Sequence, residues 1–144
     1  MSIPSFAPLS VSPIPSLPDE VNQIRLDTAG IVSEHIIPNE EILGDFRNPK
    51  RQTLYHDLQE YVKSCNLWAP HLPKEYGGVD MGFLGLAYMN EIMAWSPFSG
   101  GIFGIQAPNS GNMKILIKYG TEEQKKKWLD PLVRGETQSG FSMT

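Results

Sequence analysis

The strongest constraint in this chain lies at Tyr119–Gly135, YGTEEQKKKWLDPLVRG, where a helix stop and a helix start stand side by side. Gly120 is predicted to close the preceding helix by taking a positive φ. Thr121 then serves as N-cap of the next, with Gln124 three residues on completing a capping box. Glu122 and Glu123 lie in the first turn, where the helix dipole favours them. Trp128, Leu129, Leu132 and Val133 give this second helix an apolar face, and Gly135 closes it. Upstream, Met113, Leu116, Ile117 and Tyr119 supply apolar bulk. Downstream, Ser139–Thr144 (SGFSMT) reads as the start of a strand. A domain rarely stops on its first strand, so the polypeptide is expected to continue in its parent protein.

The 144 residues suffice for one domain with a real core. Hydrophobic residues make up 40% and charged residues 19%, a globular balance. A net charge of −4 argues against a nucleic-acid binder. No apolar run reaches the roughly 18 residues a membrane span needs. One cysteine, Cys65, excludes an internal disulfide and permits a reducing compartment. The first eighteen residues carry neither the positive charge of a signal peptide nor the arginines of a mitochondrial transit peptide. Cytoplasm, mitochondrion and peroxisome all remain open.

In chain order, residues 1–18 form a Pro- and Ser-rich stretch expected to be a disordered tail, because five prolines prevent helix and central strand. The first helix is predicted from Ser16 to about Asn39, with Ser16 and Asp19 as a capping box. Val21, Ile24, Thr28, Ile31 and His35 share one of its faces, and Pro38 ends it. Leu43–Lys50 is a loop. Arg51–Cys65 is the second helix, with Leu54, Leu58, Val62 and Cys65 inward and Asn66 in a left-handed position after it. Leu67–Val79 is a loop whose apolar residues pack down on the helices. Gly82–Trp95 is a third helix, apolar on more than one face and so expected to be buried. A short helix over Phe103–Gln106 precedes one running from Pro108 to Tyr119. The fold class is therefore all-α, five or six helices: a helical domain over 19–138 and a first β-domain strand begun at 139–144.

No metal site is expected, since His35, His56 and His71 lie in different elements without partners at ligand spacing. Cys65 reads as a core thiol rather than a nucleophile. Nucleophile-elbow, dinucleotide-fingerprint and Walker motifs are absent. Lys125–Lys127 point in different directions on a helix and read as a solvated face, not a phosphate site. Glu91 reads as paired or exposed rather than as a working carboxylate. Gly104, Ala107, Ser110 and Gly111 form a small-residue stripe. Small side chains admit either tight helix packing or a flat ligand, and spacing alone leaves both open.

Four pieces carry a resemblance: LWAPHLPKEYGG at 67–78, APNSGNM at 107–113, YGTEEQKKKWL at 119–129 and GFSMT at 140–144. With the helix order, they make residues from about Leu17 onward resemble the N-terminal helical domain of the acyl-CoA dehydrogenases. APNSGNM is similar to the branch that includes forms fused to a kinase-like domain. The resemblance implies an FAD enzyme that oxidises the Cα–Cβ bond of an acyl-CoA to a trans-2-enoyl-CoA. It also implies electron-transferring flavoprotein as acceptor and a homo-oligomer, tetramer or dimer. Phe141, Met143 and Thr144 fall on the family's flavin-contact positions. Phe103, Gln106, Ala107 and Ser110 fall where members line the acyl cavity. Ala94-Trp95 departs from the Gly-Arg that many members carry after this helix. The family's catalytic glutamate lies in a C-terminal bundle, so no residue here is assigned as catalytic. An acyl-CoA oxidase relative, with oxygen as acceptor, and a non-catalytic helical module are the alternatives.

Overall fold

In the computed structural model, residues 9–142 are described; they form helices joined by short turns, as the all-α reading expects. Among the described residues there is no strand, and no helix is long and apolar enough to cross a membrane. A strand was expected at 139–144; residues 139–142 are neither helix nor strand, and Met143 and Thr144 lie outside the described residues.

Helix α1 (Asp19–Ile31) begins directly after Pro18, and the predicted Ser16–Asp19 capping box is not made. Asn22 organises the entry instead. Its Oδ1 accepts from the Ile14 amide at 2.8 Å and its Nδ2 donates to the Ile14 carbonyl at 2.9 Å. Arg25 Nη1 donates to the Ser12 carbonyl at 3.0 Å, and its guanidinium stands 5.6 Å from the centroid of the Tyr88 ring. The expected tail, in its described part from residue 9, thus lies against α1. The buried face is wider than the predicted one. Thr28 and Ile31 are buried as expected, with Asn22, Arg25, Ala29, Val32 and Ile36 beside them, whereas Val21, Ile24 and His35 are only half-buried. An apolar count misses Asn22 and Arg25 because they are polar side chains paired to backbone.

The first helix also outruns its prediction. It passes through a π turn (Val32–Ile36) and a 3₁₀ turn (Ile37–Asn39) into α2 (Glu40–Gly44). Pro38 sits in the first turn of the 3₁₀ segment, where a missing N–H is harmless, so it does not stop the chain. Helix α3 (Arg51–Ser64) buries Leu58 and Val62, and Asn66 takes φ 57° as read. Helix α4 (Gly82–Met93) buries Met89, Ile92 and Met93, but Phe83 is 90% and Leu84 62% exposed. The prediction of a wholly buried helix fails at that first turn.

The short helix α5 is Ser99–Ile102, four residues before its predicted place. Gly104 at φ 72° breaks the chain where the helix was expected. The small-residue stripe is therefore not one helix face: Gly104 and Ala107 lie in the turn, and only Ser110 and Gly111 stand on α6 (Asn109–Tyr119). The joint to the last helix does carry its capping box. Gln124 N donates to Thr121 Oγ1 at 3.2 Å and Thr121 N to Gln124 Oε1 at 2.9 Å. Gly120, however, has φ −71° and ψ 141°; it is needed because a Cβ would lie 2.5 Å from the Leu116 carbonyl oxygen. The last helix consists of α7 (Glu122–Gln124), a π turn (Lys125–Leu129) and α8 (Asp130–Val133). It buries Leu129 and Leu132 but leaves Trp128 56% exposed. One core runs through all of these layers by way of Val32, Val62, Met89, Ile102, Met113 and Leu129. Full burial of each such side chain contributes about 1.5–3 kcal/mol.

Candidate functional site

Trp68, in the loop after α3, is the pivot on which the C-terminal half turns. It is 7% exposed, and its indole Nε1 donates to the Val133 carbonyl at 2.8 Å. The Lys63 ammonium stands 4.7 Å from the ring centroid. Gly104 and Gly135 both have positive φ, 72° and 76°. A Cβ on them would come within 2.8 Å and 3.2 Å of the ring, so only glycine lets both turns close on the indole. The neighbouring Ala69 amide donates to the Phe103 carbonyl at 2.9 Å. The loop therefore fixes both the α5–α6 turn and the exit from α8.

Beyond Gly135 the chain returns to α6. Ser139 N donates to Asn109 Oδ1 at 2.8 Å, Ser139 Oγ donates to the same oxygen at 2.9 Å, and Asn112 Nδ2 donates to Ser139 Oγ at 2.9 Å. From this three-bond anchor the chain leaves with Phe141 65% exposed. Beside it lies a groove of about 590 Å³ lined by Ile115, Leu116, Trp128, Pro131 and Leu132. Behind the anchor is a small cavity of about 30 Å³, bordered by Gln59, Gln106, Asn109, Thr137 and Gln138. That is room for about one water among several polar groups. A larger open cleft of about 930 Å³ runs between α3 and the α8 exit, past Tyr55, Gln59, Trp68, Tyr76 and Arg134.

The sequence-predicted cavity residues are not gathered on one wall. Phe103 is 0% exposed within the core, whereas Gln106 and Ala107 are exposed and Ser110 is half-buried on α6. Gln106 borders the small cavity near the anchor. Of the flavin-contact positions, Phe141 is described; Met143 and Thr144 lie outside the described residues. Two titrating groups are shifted by burial. The Tyr55 hydroxyl is raised from its ordinary value by desolvation, with Arg51 opposing. His71 is lowered to about 4 by desolvation first and Lys114 second, and both its ring nitrogens are buried without a partner among the described residues. No three His, Cys, Asp or Glu side chains gather as metal ligands among the described residues.

The profile of the family described as "Acyl-CoA dehydrogenase, N-terminal domain" matches residues 18–136. The chain belongs to the acyl-CoA dehydrogenase family. It is 42% identical over 97 residues to mouse acyl-CoA dehydrogenase family member 10, covering 63% of this chain and 9% of that protein. It is 32% identical over 130 residues to chicken acyl-CoA dehydrogenase family member 11, covering 85% of this chain and 16% of the relative. With probable acyl-CoA dehydrogenase FadE2 of Mycobacterium tuberculosis it shares 32% over 127 residues, 83% of this chain and 30% of that one. A solved structure of a candidate acyl-CoA dehydrogenase from Mycobacterium abscessus superposes with a TM-score of 0.69 at 25% identity, over 91% of this chain and 33% of that one. The chain thus spans a third or less of the length of these relatives.

Sequence reasoning weighed the small residues of APNSGNM and passed over its two asparagines. Their partner is 30 and 27 positions away, beyond the reach of any local pattern.

Proposed function

We propose that this chain is the N-terminal part of an FAD-dependent acyl-CoA dehydrogenase. When bound, FAD would supply the hydride-accepting centre for oxidising the Cα–Cβ bond of an acyl-CoA to a trans-2-enoyl-CoA. The observation that carries this reading, beside the family itself, is the Ser139–Ser142 segment. It is held at one end by α6 and presents an exposed Phe141. An open aromatic suits one face of a flat ring system, so the residues present fit one edge of a flavin site. Phe141, Met143 and Thr144 are proposed to lie along that edge, with the Thr144 hydroxyl as a hydrogen-bonding group. Gln106, Ala107 and Ser110 are proposed to meet the acyl chain, with Phe103 supporting them from the core.

No residue of the chain is proposed as the base, because removing an α-proton needs a positioned acceptor within hydrogen-bond reach. Electron-transferring flavoprotein or oxygen is the proposed acceptor, in a homo-oligomer. The complete polypeptide, expressed in an FAD-replete host, is expected to purify yellow with bound FAD. A folded, colourless protein that takes up no added FAD would sink the reading.

A further inference from the structure

We propose that Asn109 and Asn112 are positioning residues, which through Ser139 set the path of the flavin-edge segment and so the flavin itself. This rests on the flavoprotein reading above. The bonding pattern has a single direction. The Ser139 amide can only donate, so Asn109 must present its oxygen to it at 2.8 Å. Ser139 Oγ gives its hydrogen to the same oxygen at 2.9 Å and is then left as an acceptor. Asn112 must therefore present its NH₂ to Ser139 Oγ, as it does at 2.9 Å. The relay runs Asn112 to Ser139 to Asn109.

Neither end is explained by the helix that bears it. Asn109 is the first residue of α6, and the cap position before it is Pro108. Both side chains instead reach a segment about thirty residues on. What they fix there is register. In extended backbone, alternate side chains point to opposite sides, and a slip of one residue exchanges them. Three bonds on Ser139 therefore bear on the side taken by Phe141 two residues on. Gly140, which has nothing within 4 Å of where a Cβ would stand, places no competing contact next to the anchor.

The direction of the relay gives an asymmetric test. Asn109→Asp keeps an acceptor oxygen for both Ser139 donors, whereas Asn112→Asp removes the donor that Ser139 Oγ needs. Asn109→Ala, Asn109→Asp, Asn112→Ala and Asn112→Asp would be made in the complete polypeptide. Hydrogen exchange of residues 139–142, FAD affinity by flavin fluorescence, and Tm would be measured for each. Asn109→Asp is expected to match wild type in exchange and FAD affinity. The two Asn112 variants are expected to exchange about tenfold faster at 139–142 and to bind FAD about tenfold more weakly, the scale of one lost hydrogen bond, and Asn109→Ala, which loses two, by more than about tenfold. Equal behaviour of the two aspartate variants overturns the proposal. Faster exchange with unchanged FAD affinity also overturns it, leaving a mere tether. A wild-type protein that binds no FAD overturns the flavoprotein reading itself, and the exchange pattern then tests the anchor separately.

Discussion

Replacing Gly104 by alanine tests whether Trp68 is the pivot of the C-terminal half. Two costs combine. The backbone sits at φ 72°, where an L side chain is strained by about 1–2 kcal/mol. The new methyl would stand 2.8 Å from Cε2 and Cζ2 of Trp68, a contact real Cβ atoms do not make. The indole is itself held by its bond to Val133 and cannot easily withdraw; overpacking of this kind costs about 1–3 kcal/mol. The sum is about 2–5 kcal/mol, or a fall in Tm of roughly 6–20 °C for a domain of this size. Trp68→Leu removes the ring atoms that the methyl would meet. Placed in that background, Gly104→Ala should cost only the backbone strain. A double-mutant cycle by urea denaturation should therefore give a coupling of about 1–3 kcal/mol between the two positions. Strict additivity, with Gly104→Ala equally costly in both backgrounds, would refute the steric argument and leave backbone strain alone.

Two further outcomes follow from local chemistry. His71, lowered to about 4, stays neutral in the fold while the unfolded chain binds a proton below its ordinary value of 6.5. Stability should therefore fall as pH drops from 6.5 towards 4, by about 1–2 kcal/mol after discounting for partial solvent exposure. Urea midpoints across that range should lose this slope in His71→Gln, and an unchanged slope would assign it to other groups. Thr121→Ala removes the acceptor for Gln124 N and should cost about 1 kcal/mol, with Thr121→Ser close to wild type in thermal melts. Equal losses in the two variants would show that the hydroxyl is not the cause.

How much of this was legible in the sequence depended on how far apart the partners stand. The Thr121–Gln124 box lies within four residues, and the structure makes both of its bonds. Asn66 took its left-handed φ for the same local reason. Asn22 and Arg25 were invisible as buried groups, because their partners are backbone carbonyls and amides of a proline-rich stretch that composition marks as a tail. The small-residue stripe failed as a helix face because a positive φ at Gly104 turns the chain and α6 begins only at Asn109. The site was legible only in part. GFSMT signalled an extended segment, but the asparagines that hold it announce themselves only once α6 and residue 139 are side by side.

The central claim, that this helical chain helps build an acyl-CoA-oxidising flavin site, is tested most directly by one spectrum. The complete flavin-loaded polypeptide would be titrated anaerobically with acyl-CoA thioesters while the visible flavin band is followed. Loss of the band with formation of a trans-2-enoyl-CoA is the predicted result. A band that persists across short, medium and long acyl chains, in a folded protein with stoichiometric FAD, would contradict it.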